Sequence, residues 1–432
     1  MKRWEAPIRR RWLAVWLILP LWWLYDRLMV KRANHWAFFV HPLKPSQFVE
    51  NSRAIFEAVK GDPRIHKRVF TRDLTVDLRL DDACNTEVVD VQSLRGLAEL
   101  AHCGVYLLTN AVALDMSWRW DDGSFSVVRP SLTRRVLVNL WHGIPLKRLF
   151  ALANPEQRQR ADRVAFRRQE RHHYAGLIAS SDVDSYAMAA TFHPLPPERV
   201  WVTGLPRNDF LLMADETLPR FLREEVETIR RLKGQRRLLV YAPTYREDAR
   251  HGGECYQFSD EQVTRLKALL HRHNAVLGFR MHYYRKGERL FNLEQHLDGE
   301  TLIDLGHAVI SEIAPVLREA DLLLTDYSSV YIDALYLSKP VISFAYDLEH
   351  YRSQQNGLLY DMGLAFPGPL VQTFDGLIEA LDAELAGSSQ MVNERYRMAR
   401  RLFFKYVDAG NSDRVLARIK DLTGHTAGIF NE

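Results

Sequence analysis

Cysteine is scarce in this chain: Cys84, Cys103 and Cys255 stand far apart among 432 residues, with no CxxC pair. That excludes a disulfide framework and a cysteine-built zinc site, and it fits a reducing, cytosolic setting. A dominant charge is lacking too, since 58 Lys and Arg against 54 Asp and Glu leave a net +4. With no zinc-finger spacing and no RNP-like aromatic motif, nucleic acid is not an expected partner. No P-loop, nucleophile elbow or HExxH occurs. Internal repeats and low-complexity tracts are absent.

Long hydrophobic runs are nearly absent as well. The one candidate, Trp12 to Tyr25 (WLAVWLILPLWWLY), carries no charge. As a helix its ~14 residues reach roughly 21 Å, short of the ~30 Å hydrocarbon core. Pro20 falls in its middle, Arg9, Arg10 and Arg11 precede it, and Arg27, Lys31 and Arg32 follow. Trp12, Trp16, Trp22 and Trp23 favour the headgroup region. The expectation is an interfacial or re-entrant helix on the cytoplasmic side of the inner membrane, a peripheral or monotopic attachment. A span extended to Val30 would have to carry Asp26 and Arg27, and a signal peptide would need a small-residue cleavage site that does not follow.

What is present is a folded composition, 47% hydrophobic and 11% aromatic, long enough for two domains. Strands are expected at Trp36–Val40, Val105–Leu108, Arg135–Leu140 and Gly176–Ala179. Helices are expected at Ser46–Val59 and Glu156–Tyr174. A second series starts near Gly234, with strands at Leu238–Ala242, Ala275–Arg280, Leu322–Thr325 and Val341–Phe344. Helices at Asp260–His271, Ile313–Glu319 and Ser329–Leu337 lie between them. Strands alternating with helices imply parallel sheets covered on both faces, hence an α/β chain with two doubly wound domains. The expected organisation is a membrane-anchoring segment (1–32), an N-terminal Rossmann-like domain (33–215), a C-terminal Rossmann-like domain (216–390) and a helical tail packing back across both (391–432).

Ligands of such sheets bind beyond the carboxyl ends of strands, and four strand ends here are polar. In VLVNLWHGIPLK, His142 and Lys147 follow a buried strand; His142 is either a general base or a turn-bonding histidine. LLVYAPTYR delivers Thr244 and Arg246, the arginine suited to a phosphate or simply exposed. VLGFRMH ends in His282, a second histidine at a matched position. ADLLLTDYSSVYIDALYLSKP is the richest: Asp326 ends a strand, and Ser328 and Ser329 start a helix that includes Asp333. Free N–H groups and hydroxyls at a helix start suit a pyrophosphate, although serine is also an ordinary helix cap. The pairs Asp81–Asp82 and Asp121–Asp122 read as solvated loops, so no metal site is expected. The basic stretch from Arg158 to His173 reads as a solvated face, or else as a contact for anionic headgroups.

Several of these segments, in order, resemble the CDP-glycerol glycerophosphotransferases of teichoic acid synthesis. WHGIPLK (Trp141–Lys147) is similar to that family's WHGTPLK, GLPRND (Gly204–Asp209) to its GxPRND and YAPTYRE (Tyr241–Glu247) to its YAPTWRD. RMH (Arg280–His282), TDYSSVYID (Thr325–Asp333), KPVISFAYDLEHY (Lys339–Tyr351), PGP (Pro367–Pro369) and DAGNS (Asp408–Ser412) continue the series. Ile144 replaces the family's Thr, and Tyr283 its Pro. The resemblance implies a GT-B-type fold, two Rossmann-like domains facing a cleft, with monotopic attachment and a CDP-alditol donor bound by the C-terminal domain. It implies a lipid-linked polyprenyl acceptor and no cofactor. His142 would be the catalytic base and His282 would assist at the donor phosphates or leaving group. Arg246, Thr244, Asp326, Ser328, Ser329 and Asp333 would form the donor site, and Lys147, Arg207 and Asn208 an acceptor or structural site. Transfer of ribitol phosphate, or a GT-B glycosyltransferase using a nucleotide sugar, are the competing readings.

Overall fold

The computed structural model describes residues 4–42, 46–152, 164–244, 255–281, 292–349, 358–388 and 391–426. The chain divides into two compact units. Unit 1 comprises Met1–Gly143, Arg158–Asp209 and Asp408–Glu432; unit 2 comprises Ile144–Gln157 and Phe210–Val407. The chain therefore leaves unit 1 directly after Gly143, returns, leaves again after Asp209, and comes back for its last helix, Asn411–Thr426.

Unit 1 is built on seven parallel strands: β1 (Arg32–Phe39), β2 (His66–Thr71), β3 (Thr86–Asp90), β4 (Cys103–Leu108), β7 (Val136–Asn139), β8 (Tyr174–Ala179) and β9 (Val200–Val202). A short hairpin, β5 (Trp118–Arg119) with β6 (Phe125–Ser126), lies outside that sheet. The strand order is β3-β2-β1-β4-β7-β8-β9. Val105, Leu107, Leu137, Val138 and Ile178 are fully buried, as expected of strands covered on both faces. Unit 2 has six parallel strands: β10 (Arg237–Tyr241), β11 (Ala275–Phe279), β12 (Leu302–Asp304), β13 (Leu322–Thr325), β14 (Val341–Phe344) and β15 (Leu370–Val371). Their order is β12-β11-β10-β13-β14-β15. Its core joins Leu239, Leu277, Leu322 and Ile342 to Leu266 and Leu269 on helix Asp260–Arg272. Each sheet has one point where the winding reverses, between β1 and β4 and between β10 and β13. Loops that diverge at such a point leave a crevice at the strands' carboxyl ends.

The N-terminal run is helical from Arg11 to Leu28, as Arg11–Leu13, a wide π-type turn at Ala14–Ile18, and Leu19–Leu28. The wide turn lets Leu19 bond back to Ala14 just before Pro20, which has no N–H to give. Ala14, Trp22 and Asp26 are buried against unit 1, and the Trp22 indole donates to the Leu97 carbonyl at 2.7 Å. Asp26 accepts from Lys31 at 3.0 Å, from the Ser131 N–H at 2.6 Å and from the Arg135 guanidinium at 3.2 Å. Among the described residues no helix is long and apolar enough to cross a membrane. The version that spans to Val30 is corrected on a second ground, since Asp26 is bonded inside unit 1. The rest of the helix surface stays apolar and open: Trp16 is 81% exposed, Trp12 64% and Leu28 68%.

Of the basic stretch Arg158–His173, residues 158–163 lie outside the described residues; in the remainder Arg168 and His172 are exposed, while the last two residues of its helix are buried. In helix Val164–Arg171, Glu170 is buried and takes the Tyr174 hydroxyl at 2.5 Å, and Arg171 is buried and donates to the His193 carbonyl. All three cysteines are free thiols.

Candidate functional site

In unit 1 the polar groups gather where β1, β4 and β7 end. His41 follows β1 and is 3% exposed. Thr109 and Asn110 follow β4, and their loop is held by Asp115, which accepts from both backbone N–H groups at 2.8 and 3.0 Å. Burial pushes the Asp115 carboxyl up, and those bonds pull it back. Asn139, the last residue of β7, donates to the Asn110 carbonyl at 2.8 Å and accepts from the Trp141 N–H at 2.9 Å. Trp141 itself sits in the left-handed region at φ +47, a strained setting for a bulky residue. The next residue is His142, half-buried, its ring centroid 4.0 Å from that of Trp141 and 6.1 Å, edge-on, from that of His41. This is the last side chain before the chain passes to unit 2, so WHGIPLK is shared between the two. Lys147 belongs to unit 2, where its backbone bridges to Leu358.

GLPRND forms a tight turn in unit 1 through Pro206–Asn208. Asn51, wholly buried, accepts from the Arg207 N–H at 3.0 Å. A Cβ added to Gly143 would stand 3.2 Å from Arg207 Nη2, so this guanidinium lies against the residue following His142. Asn208 is buried. Asp209 takes the Asn411 and Ser412 N–H groups at 2.9 and 2.7 Å, which ties the DAGNS motif to GLPRND. Gly204 has φ +79, and a side chain there would meet Asn411 Oδ1 at 1.9 Å. Only glycine fits.

In unit 2 the reversal between β10 and β13 is bridged by one carboxylate. Asp326, after β13, accepts from Thr244 after β10 through its N–H at 2.8 Å and its hydroxyl at 2.5 Å, and from the Tyr327 N–H at 2.5 Å. Asp326 is 1% exposed and Thr244 6%. The Thr325 hydroxyl adds a bond to the Ala242 carbonyl at 2.7 Å, and Ser343 bonds the Asp326 carbonyl at 2.7 Å. Asp326 and Thr244 thus set the shape of the two loops. Ser328 and Ser329 are half-buried beside them, ahead of helix Val330–Tyr336. The ordinary-cap reading does not hold for Ser329: it is already in helical geometry, and its hydroxyl makes no cap bond. Ser328 Oγ lies 3.4 Å from the Val330 N–H, a weak contact. Asp333 is buried on the first turn. Arg280 is fully buried, donates to the Leu305 and Ile310 carbonyls at 2.7 and 3.0 Å, and is pushed down to about 10 by that burial. Arg246 and His282 lie outside the described residues. Among the described residues no group of three or more His, Cys, Asp or Glu could hold a metal ion.

Sequence reasoning did not single out His41, Asn51, Asn110 or Asn139. His41 was findable as the first polar residue after the run at Trp36–Val40, and Asn139 as the one polar residue inside VLVNLW. Asn51 carries no such signal.

Residues 27–421 match the family model for CDP-glycerol:poly(glycerophosphate) glycerophosphotransferase. The chain belongs to this family. It is 31% identical over 255 residues to the teichoic acid ribitol-phosphate polymerase TarK of Staphylococcus aureus, covering 58% of this chain and 45% of TarK. It is 28% identical over 348 residues to a teichoic acid poly(glycerol phosphate) polymerase of Bacillus spizizenii, covering 78% of this chain and 80% of that one. The chain spans less than half the length of TarK and of two further curated relatives, the teichoic acid ribitol-phosphate polymerase TarL of Staphylococcus aureus and a teichoic acid poly(glycerol phosphate) polymerase of Bacillus subtilis: 45%, 41% and 45%. The wall teichoic acid polymerase TagF, in a variant structure determined with CDPG, shares the fold with a TM-score of 0.73 at 19% identity, over 95% of this chain and 94% of that one.

Proposed function

We propose that this chain transfers an alditol phosphate, glycerol phosphate in the first instance, from a CDP-alditol to a hydroxyl of a lipid-linked acceptor, releasing CMP. One observation supports this above the others: a family motif ends beside the reversal of each sheet, His142 after β7 with its ring against His41 at the end of β1 in unit 1, and Thr244 with Asp326 and the Ser328–Ser329 helix start in unit 2. In this reading the two units form the acceptor and donor halves of a GT-B enzyme.

The acceptor oxygen attacks the β-phosphorus of the CDP-alditol. The new P–O bond forms as the bond from that phosphorus to the bridging oxygen breaks, and the electron pair leaves with CMP. The acceptor proton passes to His142, a step worth about 10²–10⁴ in rate. The remaining work is positioning and charge stabilisation. Ser328 and Ser329 offer their hydroxyls and the helix N–H groups to the pyrophosphate, with Asp326 and Thr244 bracing that loop and Asp333 behind it. Arg246 and His282 join the donor site on the strength of their motifs, and Arg207, Asn208 and Lys147 serve the acceptor side. No step requires a cofactor or a metal.

The helix Arg11–Leu28 supplies the attachment in this reading. Its open tryptophans and leucines, with Arg9 and Arg10 beside them, suit the headgroup layer of an anionic surface. Replacing Trp12 and Trp16 by Ser is expected to abolish flotation with anionic vesicles while leaving the fold intact.

The reaction is tested by incubating a membrane fraction containing the chain with labelled CDP-glycerol, CDP-ribitol or a UDP-sugar and identifying the lipid-linked product. Label from CDP-glycerol with CMP release is the expected result. Transfer from the UDP-sugar, with both CDP-alditols inert, would overturn the reading.

A further inference from the structure

We infer that Asn51 is a positioning residue for the reaction, one that sets the loop of His142 and the turn of Arg207 in a common register; this rests on the reading of His142 as the base. Asn51 sits in the first turn of helix Glu50–Val59 and is wholly buried. Its amide nitrogen donates to the Leu140 carbonyl at 2.9 Å and to the Trp141 carbonyl at 3.2 Å, the two peptide groups immediately before His142. Its amide oxygen accepts from the Arg207 N–H at 3.0 Å. Two carbonyls on one side and an N–H on the other fix which way the amide points, and the asparagine side chain meets all three at this length. Aspartate has no donor for the carbonyls, and serine has one.

The loop needs such a clamp. Trp141 is held at φ +47, where its own preference would not keep it, and Glu50, which leads into Asn51, is also left-handed at φ +66. Asn139 holds the N–H of Trp141 from the strand side, and Asn51 holds its carbonyl from the helix side. Between them they fix both peptide planes of Trp141, and with them the direction in which His142 leaves the strand. The same amide oxygen places Arg207, whose guanidinium rests against Gly143. One side chain thereby sets the distance between a base and a cation, without contacting substrate itself.

Asn51→Ala and Asn51→Asp in the full chain test this, with CMP release from CDP-glycerol in a membrane fraction as the readout and His142→Ala alongside. The expected result is a kcat at least tenfold lower in either variant, with the KM for CDP-glycerol within twofold. The acid limb of the pH–rate profile should move by at least half a unit, because the histidine's surroundings have changed. Asn51→Asp keeps the Arg207 contact and the side-chain volume, and carries the test if the alanine variant is insoluble. A kcat within twofold of the parent, or a fall in active enzyme with an unaltered pH profile, overturns the inference about Asn51. If His142→Ala itself turns over normally, the reading of the base falls instead.

Discussion

Asp26 stands where an apolar helix meets a folded sheet, and removing it should detach one from the other. Its carboxylate is fully buried with two cations, Lys31 and Arg135, and the Arg135 guanidinium also donates to the carbonyls of Cys103, Ser131 and Leu100. Burial alone would raise this carboxyl, but the bond and charge of Arg135, the Ser131 N–H and Lys31 together hold it below its usual 3.8. Asp26→Ala leaves two buried cations facing each other with no counter-charge. Breaking a buried pair from one side costs ~3–5 kcal/mol, because the remaining charge stays desolvated. At ~3 °C per kcal/mol for a unit of this size, the thermal midpoint of unit 1 should fall by ~12 °C.

The pH dependence gives a second check. Burial, then the nearby Arg135, pushes Lys31 down to about 8 from its ordinary 10.5. Between those values the unfolded chain binds more protons than the folded one, so stability from this group rises with pH. With Asp26 gone, Lys31 loses the partner that raises it and sheds its proton more readily. The deficit of Asp26→Ala should therefore shrink from pH 7 to pH 9.5. In the parent the Asp26 contribution is complete above pH 3.8 and is lost only as pH falls through the lower, folded value. Denaturant unfolding followed by tryptophan fluorescence measures both effects, and trypsin cleavage after the buried Lys31 reports detachment. A loss below ~1 kcal/mol at pH 7, against the ~3–5 expected of a broken buried pair, would refute the reasoning.

Asp326→Ala should cost ~3 kcal/mol, since it strands the Thr244 N–H, the Thr244 hydroxyl and the Tyr327 N–H. Asp326→Asn, which keeps an acceptor oxygen, should cost about half as much in the same denaturant titration. Ser329→Ala is expected to leave the unfolding midpoint unchanged, because its hydroxyl caps nothing. The same change should raise the KM for CDP-glycerol about tenfold, the loss of ~1.4 kcal/mol of phosphate contact; an unchanged KM would remove Ser329 from the donor site. Burial raises Asp184 to about 7, against the Ser180 N–H bond that lowers it. The folded state then binds the extra proton between the ordinary carboxylate value and about 7, so this group's penalty grows as pH rises through that window and levels off above it. Asp184→Asn should thus stabilise the chain at pH 8 and not at pH 4, as thermal unfolding at the two values would show.

Much of unit 2 was legible because its strands are short, mostly apolar and bounded by polar punctuation. Ile313–Glu319, Leu322–Thr325 and Val341–Phe344 have the ends expected of them. In unit 1, β2 (HKRVFT) and β3 (TEVVD) gave no such pattern. Lys67 is buried there because its ammonium group reaches the Val59, Lys60 and Asp62 carbonyls, and Arg68 because it reaches Glu99. Those partners are tertiary, and a hydropathy window cannot display them. Helix Ser46–Val59 was expected too early for a similar reason. Phe48 and Val49 are buried ahead of the helix, Val49 in extended chain, and the turn into the helix is made at Glu50 with a positive φ that no residue type there announces.

The candidate site was legible in its residues but not in how they divide the work. Asp326 and Ser329 stand three residues apart in one motif and look equally suited to a diphosphate. A carboxylate facing a diphosphate would repel it, whereas a carboxylate whose oxygen already receives three donors from its own loops is spent on geometry. The serine beside it, already helical, has its hydroxyl left over from capping. The same division separates Arg280, whose donors end on the loop at Leu305 and Ile310, from a phosphate-binding arginine. Hydrogen-bond partners are set by the folded backbone, and so they distinguish residues that a motif can only group together.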